Sequence, residues 1–199
     1  MATPFHPNTE NLARMLSRAF DRDPLFMHFF PDDAKREKQS YYTFRFMLRH
    51  TSLKGELVTS SESEDGAALW IPSDAMQHTT MDMLRLGLFP ALFSQGIPSI
   101  LRQLAAVEDM QSMHRAIISE PHYYLSVFGV NPDKQGKGVG SSILRPTLER
   151  FDKEGIPAYL DTHNPDNVSL YLRFGFEIAH HGYLPGGAVM HWAMLRQPR

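Results

Sequence analysis

Near the start of the chain, Leu12, Met15, Leu16, Ala19 and Phe20 recur at spacings of three and four. That period places them on one buried helical face. Asn8 stands where a cap belongs, and Asp23-Pro24 ends the helix. A second helix is predicted over about 34–53, with Tyr41, Phe44, Leu48 and Arg45 on adjoining faces and Gly55 as the glycine just past its end. Short strands over 56–60 and 67–71 follow, joined by a polar loop and stopped by Pro72. Residues 74–120 carry no strand pattern. Helices are predicted near 80–92 and 99–119, parted by Gly96-Ile97-Pro98. Met76, Met81, Met83, Met110 and Met113 make this stretch adaptable and apolar. Core packing is the preferred reading for it, and a pocket lining the sharper one.

From residue 123 the pattern changes again. Residues 123–130 read as a strand, with Leu125, Val127 and Gly129 on one face and Tyr124, Ser126, Phe128 and Val130 on the other. A turn leads to a helix over about 138–153, with Val139, Ile143, Leu144, Leu148 and Phe151 as its buried stripe. Pro146 inside it predicts a kink or a loosened turn. Gly155 ends that helix, and 156–162 is the next strand. Asn164-Pro165 opens a short helix, a capping residue followed by proline at the first helical position. Strands over 176–180 and 188–195, joined across Pro185-Gly186-Gly187, close a β-α-β-α-β-β tail. The fold class is α/β, with helices flanking a sheet.

The 199 residues are read as one domain, 1–199, with a helical insertion at about 74–120. Hydrophobic residues are 42% and charged residues 21%, which excludes a mainly disordered chain. A net charge of −2 gives no basic excess for a nucleic-acid partner. The absence of cysteine removes disulfides, thiolate metal sites and a cysteine nucleophile. With no leader-like start and no span of ~18 apolar residues, the expected setting is the cytoplasm, without a membrane partner. The ten histidines form no H-E-x-x-H motif, so no metal is expected. Trp70 is expected to pack under the sheet.

The chemistry concentrates at Asn131-Pro-Asp-Lys-Gln135-Gly136-Lys137-Gly138-Val139-Gly140-Ser141, between a strand and a helix. Glycines there let the backbone approach a ligand. Free amides at a helix start favour an anion, and Lys137 adds charge. A Walker loop fails, because Asn131 stands five residues before Gly136 and Gly138 follows Lys137. The dinucleotide fingerprint fails at Ile143. Gln135, Gly138 and Gly140 do satisfy [R/Q]-x-x-G-x-[G/A].

That loop, after a strand and before a helix, resembles the pyrophosphate loop of the GNAT family of N-acetyltransferases. The segment from Asn164 and Asn167 through Tyr171 to Gly175-Phe176 is similar to that family's second signature. The likeness is strong over about 122–195 and looser over 9–72. Trp70-Ile-Pro72 and the closing Pro185-to-Met194 segment look like the puromycin acetyltransferase-like branch. Two features depart from the family: with about seven residues before Asn8, its opening strand is expected to be missing or very short, and the 74–120 segment is long.

The resemblance implies a mixed, mostly antiparallel sheet splayed at Phe128–Val130, and acetyl-CoA as co-substrate. It implies that Phe128, Gly129 and Val130 meet the pantetheine arm, and that Gln135, Gly136, Lys137, Gly138, Val139, Gly140 and Ser141 hold the pyrophosphate. Asn167 would reach the cofactor arm, and Tyr171 would sit by the thioester sulfur as general acid. An amine arrives protonated, so a base is needed. Asp161, His122 and His163 are the candidates, each with a bland alternative as a turn, surface or satisfied polar group. The expected reaction is acetyl transfer to a primary amine, of a small molecule by preference, by a monomer or homodimer. Alternatives are a lysine or N-terminal acyltransferase, a longer acyl donor, and an acyl-CoA-binding regulator without turnover.

Overall fold

The computed structural model describes residues 8–60, 64–76, 88–184 and 189–199. The described residues begin with three helices, α1 (Thr9–Ala19), α2 (Pro24–Phe29) and α3 (Asp33–Lys54). The hairpin β1 (Glu56–Thr59) and β2 (Gly66–Pro72) follows, then α4 (Leu88–Gln95) and α5 (Ile97–Ile117). The tail runs β3 (Tyr123–Val130), α6 (Val139–Glu154), β4 (Ala158–Thr162), α7 (Pro165–Arg173), β5 (Glu177–Tyr183) and β6 (Met190–Arg196). Parts of two expected features, the helix over 80–92 and the turn at 185–187, lie outside the described residues, as do Met81 and Met83.

The six strands lie in the order β1-β2-β3-β4-β6-β5. Every neighbouring pair is antiparallel except β3–β4, which α6 joins by a crossover. This is the mixed, mostly antiparallel sheet the sequence implied. One face packs under α1 and α3, where Leu12, Leu16, Phe26, Phe44, Leu48 and Val127 cluster. Trp70, Leu125, Ile143, Phe151, Tyr171 and Met194 form the core under α6 and α7. Trp70 is fully buried there, edge-on to Phe151 at 5.1 Å. Among the described residues no helix is long and apolar enough to cross a membrane.

The middle of β3 corrects the sequence reading. Trp70 pairs with Leu125 and Leu69 with Val127, so Ser126 has no partner on β2. This β-bulge breaks the alternation. Leu125 packs with the α6 side and Val127 with the α1 side, rather than both on one face. The Ser126 hydroxyl donates to the Leu69 carbonyl at 3.1 Å. Pairing between β3 and β4 runs only from Tyr123↔Ala158 to Leu125↔Leu160. The gap between these strands therefore opens at the bulge and extends through Phe128–Val130.

Local chemistry explains the other boundaries. Asp23 does more than end α1: its carboxylate accepts the Leu25 and Phe26 amides at 3.0 and 3.4 Å and caps α2, a helix the periodicity did not reveal. Asn8, by contrast, makes no side-chain cap bond. Gly55 is not a left-handed closing residue, since its φ of −140° is extended. A Cβ there would lie 2.2 Å from the Trp70 carbonyl oxygen, so close approach to β2 is what demands glycine. Gly155 and Gly175 are left-handed, and each leads a paired 5→2 and 6→1 hydrogen-bond closure. α6 continues through Pro146 to Glu154. Pro98 falls in the first turn of α5, which starts two residues earlier than expected.

An ion pair between buried Arg196 and half-buried Asp152 ties the tail together. Both Arg196 terminal nitrogens donate to Asp152 at 2.7 Å, and Nε donates to the Phe174 carbonyl at 2.9 Å. Those bonds from Arg196 hold the Asp152 carboxyl below its ordinary value. Arg196→Met is expected to lower stability by about 1.5–3 kcal/mol at pH 7, read from urea unfolding. A depressed carboxyl stabilises above its unfolded value and loses that contribution as pH falls through the folded one. The difference between wild type and variant should therefore shrink toward pH 3. An equal loss at both pH values would contradict the ion pair as its cause.

Candidate active site

The loop between β3 and α6 is built from short polar bonds. Asn131 accepts the Asp133 amide at 3.2 Å, and Lys137 Nζ donates to the Asp133 carbonyl at 2.9 Å. The Gln135 side chain donates to the Val130 carbonyl at 3.1 Å. Gly136 and Gly138 hold φ of 73° and 82°, and a Cβ at either would meet nothing within 4 Å. Gly138 is the N-cap of α6 and offers no side-chain cap, so the first amides of the helix lack an internal partner. The result is an open concave run of backbone donors at the positive end of a 16-residue helix. The Gln135 amide already donates to the Pro132 carbonyl at 3.4 Å, so residues 136–141, rather than the whole expected run from Gln135, fit a diphosphate. Gly140 answers a different need: its Cβ would lie 2.9 Å from the Phe128 ring.

The free edge of β3 meets this loop. The Asn131 amide donates toward β2, to Asp65, while the Val130 carbonyl accepts from Gln135 on the opposite edge. Strand alternation puts the Phe128 backbone on the Val130 edge, facing the gap. Gly129 pairs toward β2 opposite Ala67. Its lack of a side chain makes room for α1, because a Cβ would lie 2.6 Å from Leu16. Of the three strand residues named from sequence, Phe128 and Val130 present backbone to the gap and Gly129 does not.

Beyond the gap lies a cavity of about 260 Å³, walled by α2, α3, α5, the bulged part of β3 and the end of β4 with α7. Asp161, His163, Asn167 and Tyr171 line it, as do Met76 and Met110. The pocket reading therefore holds for those two methionines, while Met110 and Met113 also pack against core clusters, as the preferred reading expected. Asn164 caps α7 through the Asp166 amide at 3.0 Å. Asn167 and Tyr171, four residues apart, share one face of that helix. Tyr171 is 6% exposed, 6.5 Å from the Phe128 ring and edge-on to Phe176 at 5.9 Å. Burial first, then the charge of Asp23, pushes its phenol well above the ordinary value. It keeps its proton throughout the neutral range.

The base candidates divide. Asp161 accepts from the Tyr159 hydroxyl at 2.9 Å and from His191 Nε2 at 2.7 Å. His163 stacks on His191 at 5.2 Å, and burial pulls its imidazole down to about 4. His122 does not line the cavity. Its Nδ1 lies 2.6 Å from the Glu120 carbonyl, and its Nε2 lies 2.6 Å from His114 Nε2. The carbonyl can only accept, so neutral His122 carries its proton on Nδ1 and His114 is the donor between the rings. His114 does line the cavity, stacked on Tyr159 at 3.9 Å, with burial pulling it to about 4. Sequence reasoning missed Asp23, His114, Tyr124, Tyr159 and His191. Only Asp23 carried a local signal, a capping residue directly before a proline. Among the described residues no group of three acidic or histidine side chains is placed to hold a metal.

Residues 102–176 match the family model of the acetyltransferase (GNAT) family, a span that contains β3, the glycine loop and α7. An uncharacterized N-acetyltransferase of Schizosaccharomyces pombe is 24% identical over 170 residues, covering 82% of this chain and 68% of its own. The solved structure of histone acetyltransferase HPA2 and related acetyltransferase from Corynebacterium glutamicum aligns with a TM-score of 0.66 at 23% identity, covering 98% of this chain and 93% of that one. Another solved acetyltransferase aligns with a TM-score of 0.51 at 13% identity, covering 96% of each chain. At these identities the solved structures speak for the fold.

Proposed function

We propose that this chain is an acetyltransferase of the GNAT family, whose model matches residues 102–176, and that it moves the acetyl group of acetyl-CoA to a primary amine of a small molecule, by direct attack in a ternary complex. The observation that carries this reading is continuity. An open diphosphate cradle at the start of α6 leads along the free edge of β3 into a cavity lined by Tyr171.

Acetyl-CoA supplies an activated acetyl thioester. The amides of 136–141 would hold its diphosphate, with Lys137 adding charge. Backbone groups of Phe128 and Val130 would meet the pantetheine arm, and Asn167 would reach it from α7. A backbone donor on this edge, the Val130 amide or a neighbour, would meet the oxygen of the attacked carbonyl, where negative charge develops. The amine nitrogen must shed two protons as the new C–N bond forms and the C–S bond breaks. Tyr171 gives its proton to the departing thiolate and is reprotonated at the expense of the amide nitrogen. Asp161, on the cavity wall, is placed to take the other proton and pass it to water.

Helices on several sides of the cavity favour a small acceptor over a lysine on a protein surface, and the puromycin-type likeness of Trp70-Ile71-Pro72 points the same way. The test compares kcat/KM for free primary amines and for a lysine-containing peptide. A preference for the free amines of about tenfold or more, a differential of ~1.4 kcal/mol, is expected. A preference for the peptide would favour the protein acyltransferase. Acetyl-CoA binding without turnover on either would favour a regulator.

A further inference from the structure

We propose that Asp23 is the ammonium-binding group of the acceptor site, and that the acceptor is a primary amine on an apolar body with no anionic substituent. This rests on the acetyl-transfer reading above.

Asp23 lines the cavity from the start of α2. Both of its cap bonds end on Oδ1, and Oδ2 accepts no bond among the described residues. Capping alone needs only a polar oxygen, which asparagine supplies equally well. The extra charge is unfavourable where it stands: burial pushes the carboxyl up to about 6, against the two amides that lower it. It is still mostly ionised at neutral pH. Among the described residues no lysine or arginine lines the cavity to neutralise it. His114 and His163, both pulled to about 4, are uncharged there. Asp161 differs, since Tyr159 and His191 already donate to it. Asp23 is a half-buried carboxylate whose missing partner is a cation.

Its position suits the nucleophile. The Asp23 charge reaches the Tyr171 phenol and helps to raise it. An ammonium held at Asp23 therefore stands near the group that protonates the leaving thiolate. The adjoining wall is aromatic. Phe20 lies 5.3 Å from Phe26 and 5.1 Å from Phe44, and Phe26 stacks on Phe44 at 4.8 Å. Ring faces attract an ammonium, and the same rings bury an apolar body. A carboxylate or phosphate on the acceptor would meet Asp23 and Asp161 with no lysine or arginine among the described lining residues to receive it.

The test titrates 2-phenylethylamine and phenylalanine by calorimetry into wild type and Asp23→Asn, each with CoA present to prevent turnover. Asparagine keeps the cap, so the melting temperature should be unchanged or higher and acetyl-CoA affinity unchanged. The variant should bind 2-phenylethylamine at least about tenfold more weakly, as expected for losing a hydrogen bond to a charged group. Wild type should bind phenylalanine at least about tenfold more weakly than 2-phenylethylamine, through the unfavourable carboxylate. Equal binding by wild type and variant, equal binding of the two ligands, or no binding of 2-phenylethylamine to wild type would each overturn the proposal. Binding of 2-phenylethylamine as expected, without acetylation, would overturn the acetyl-transfer reading and leave Asp23 as the ammonium site.

Discussion

Replacing Tyr171 by phenylalanine is expected to lower kcat by about 10²- to 10⁴-fold, the range for a positioned proton donor, with acetyl-CoA affinity little changed. The ring would keep its edge contact with Phe176 and its place beside Phe128, because only the hydroxyl is removed. Folding should therefore be unaffected. Burial and the Asp23 charge both favour the protonated phenol, so Tyr171 is an acid that titrates well above the neutral range. The wild-type rate should show no loss from Tyr171 ionisation between pH 6 and 9. Steady-state kinetics on both proteins, with calorimetric binding of acetyl-CoA, check this. Unchanged turnover would remove the acid role.

The second large effect is on binding. Gly138→Asp is expected to weaken acetyl-CoA by about 10²-fold or more, since like charges brought together cost several kcal/mol. Two causes add. Gly138 sits at φ of 82°, where an L side chain is strained by roughly 1–2 kcal/mol. The new carboxylate would also stand among the free amides at the start of α6, where a diphosphate belongs. Gly138→Ala carries the strain without the charge and should lose markedly less. Nothing lies within 4 Å of the added Cβ, so neither change meets a steric clash beyond the shared backbone strain. Equal, small losses in both variants would place the diphosphate elsewhere.

Much of the cofactor half was legible because its signals are local. The glycine spacing from Gln135 to Gly140, the Asn164-Pro165 start and the Gly155 and Gly175 stops each act within one turn of chain. The bulge at Ser126 was not legible. It exists only in the register of β3 against Leu69 and Trp70, far back in the sequence. A period-2 count therefore carried Leu125 to the wrong face. α2 has six residues, too few for a helical period to show, so Asp23 read as a terminator. Gly55 read as a cap because its real constraint, the Trp70 carbonyl, arrives from the next hairpin strand. The cavity is assembled from α2, α3, α5 and β4, and the bond between His191 and Asp161 spans 30 residues. No spacing rule joins such positions.

The most direct test of the central claim is free-thiol release from acetyl-CoA, with and without added primary amine. The chain has no cysteine and contributes no thiol of its own. Release that requires the amine, in equal amount to the acetylated product, is the predicted result. Release at the same rate without amine, or no release with any amine while acetyl-CoA is bound, would contradict N-acetyl transfer by this site.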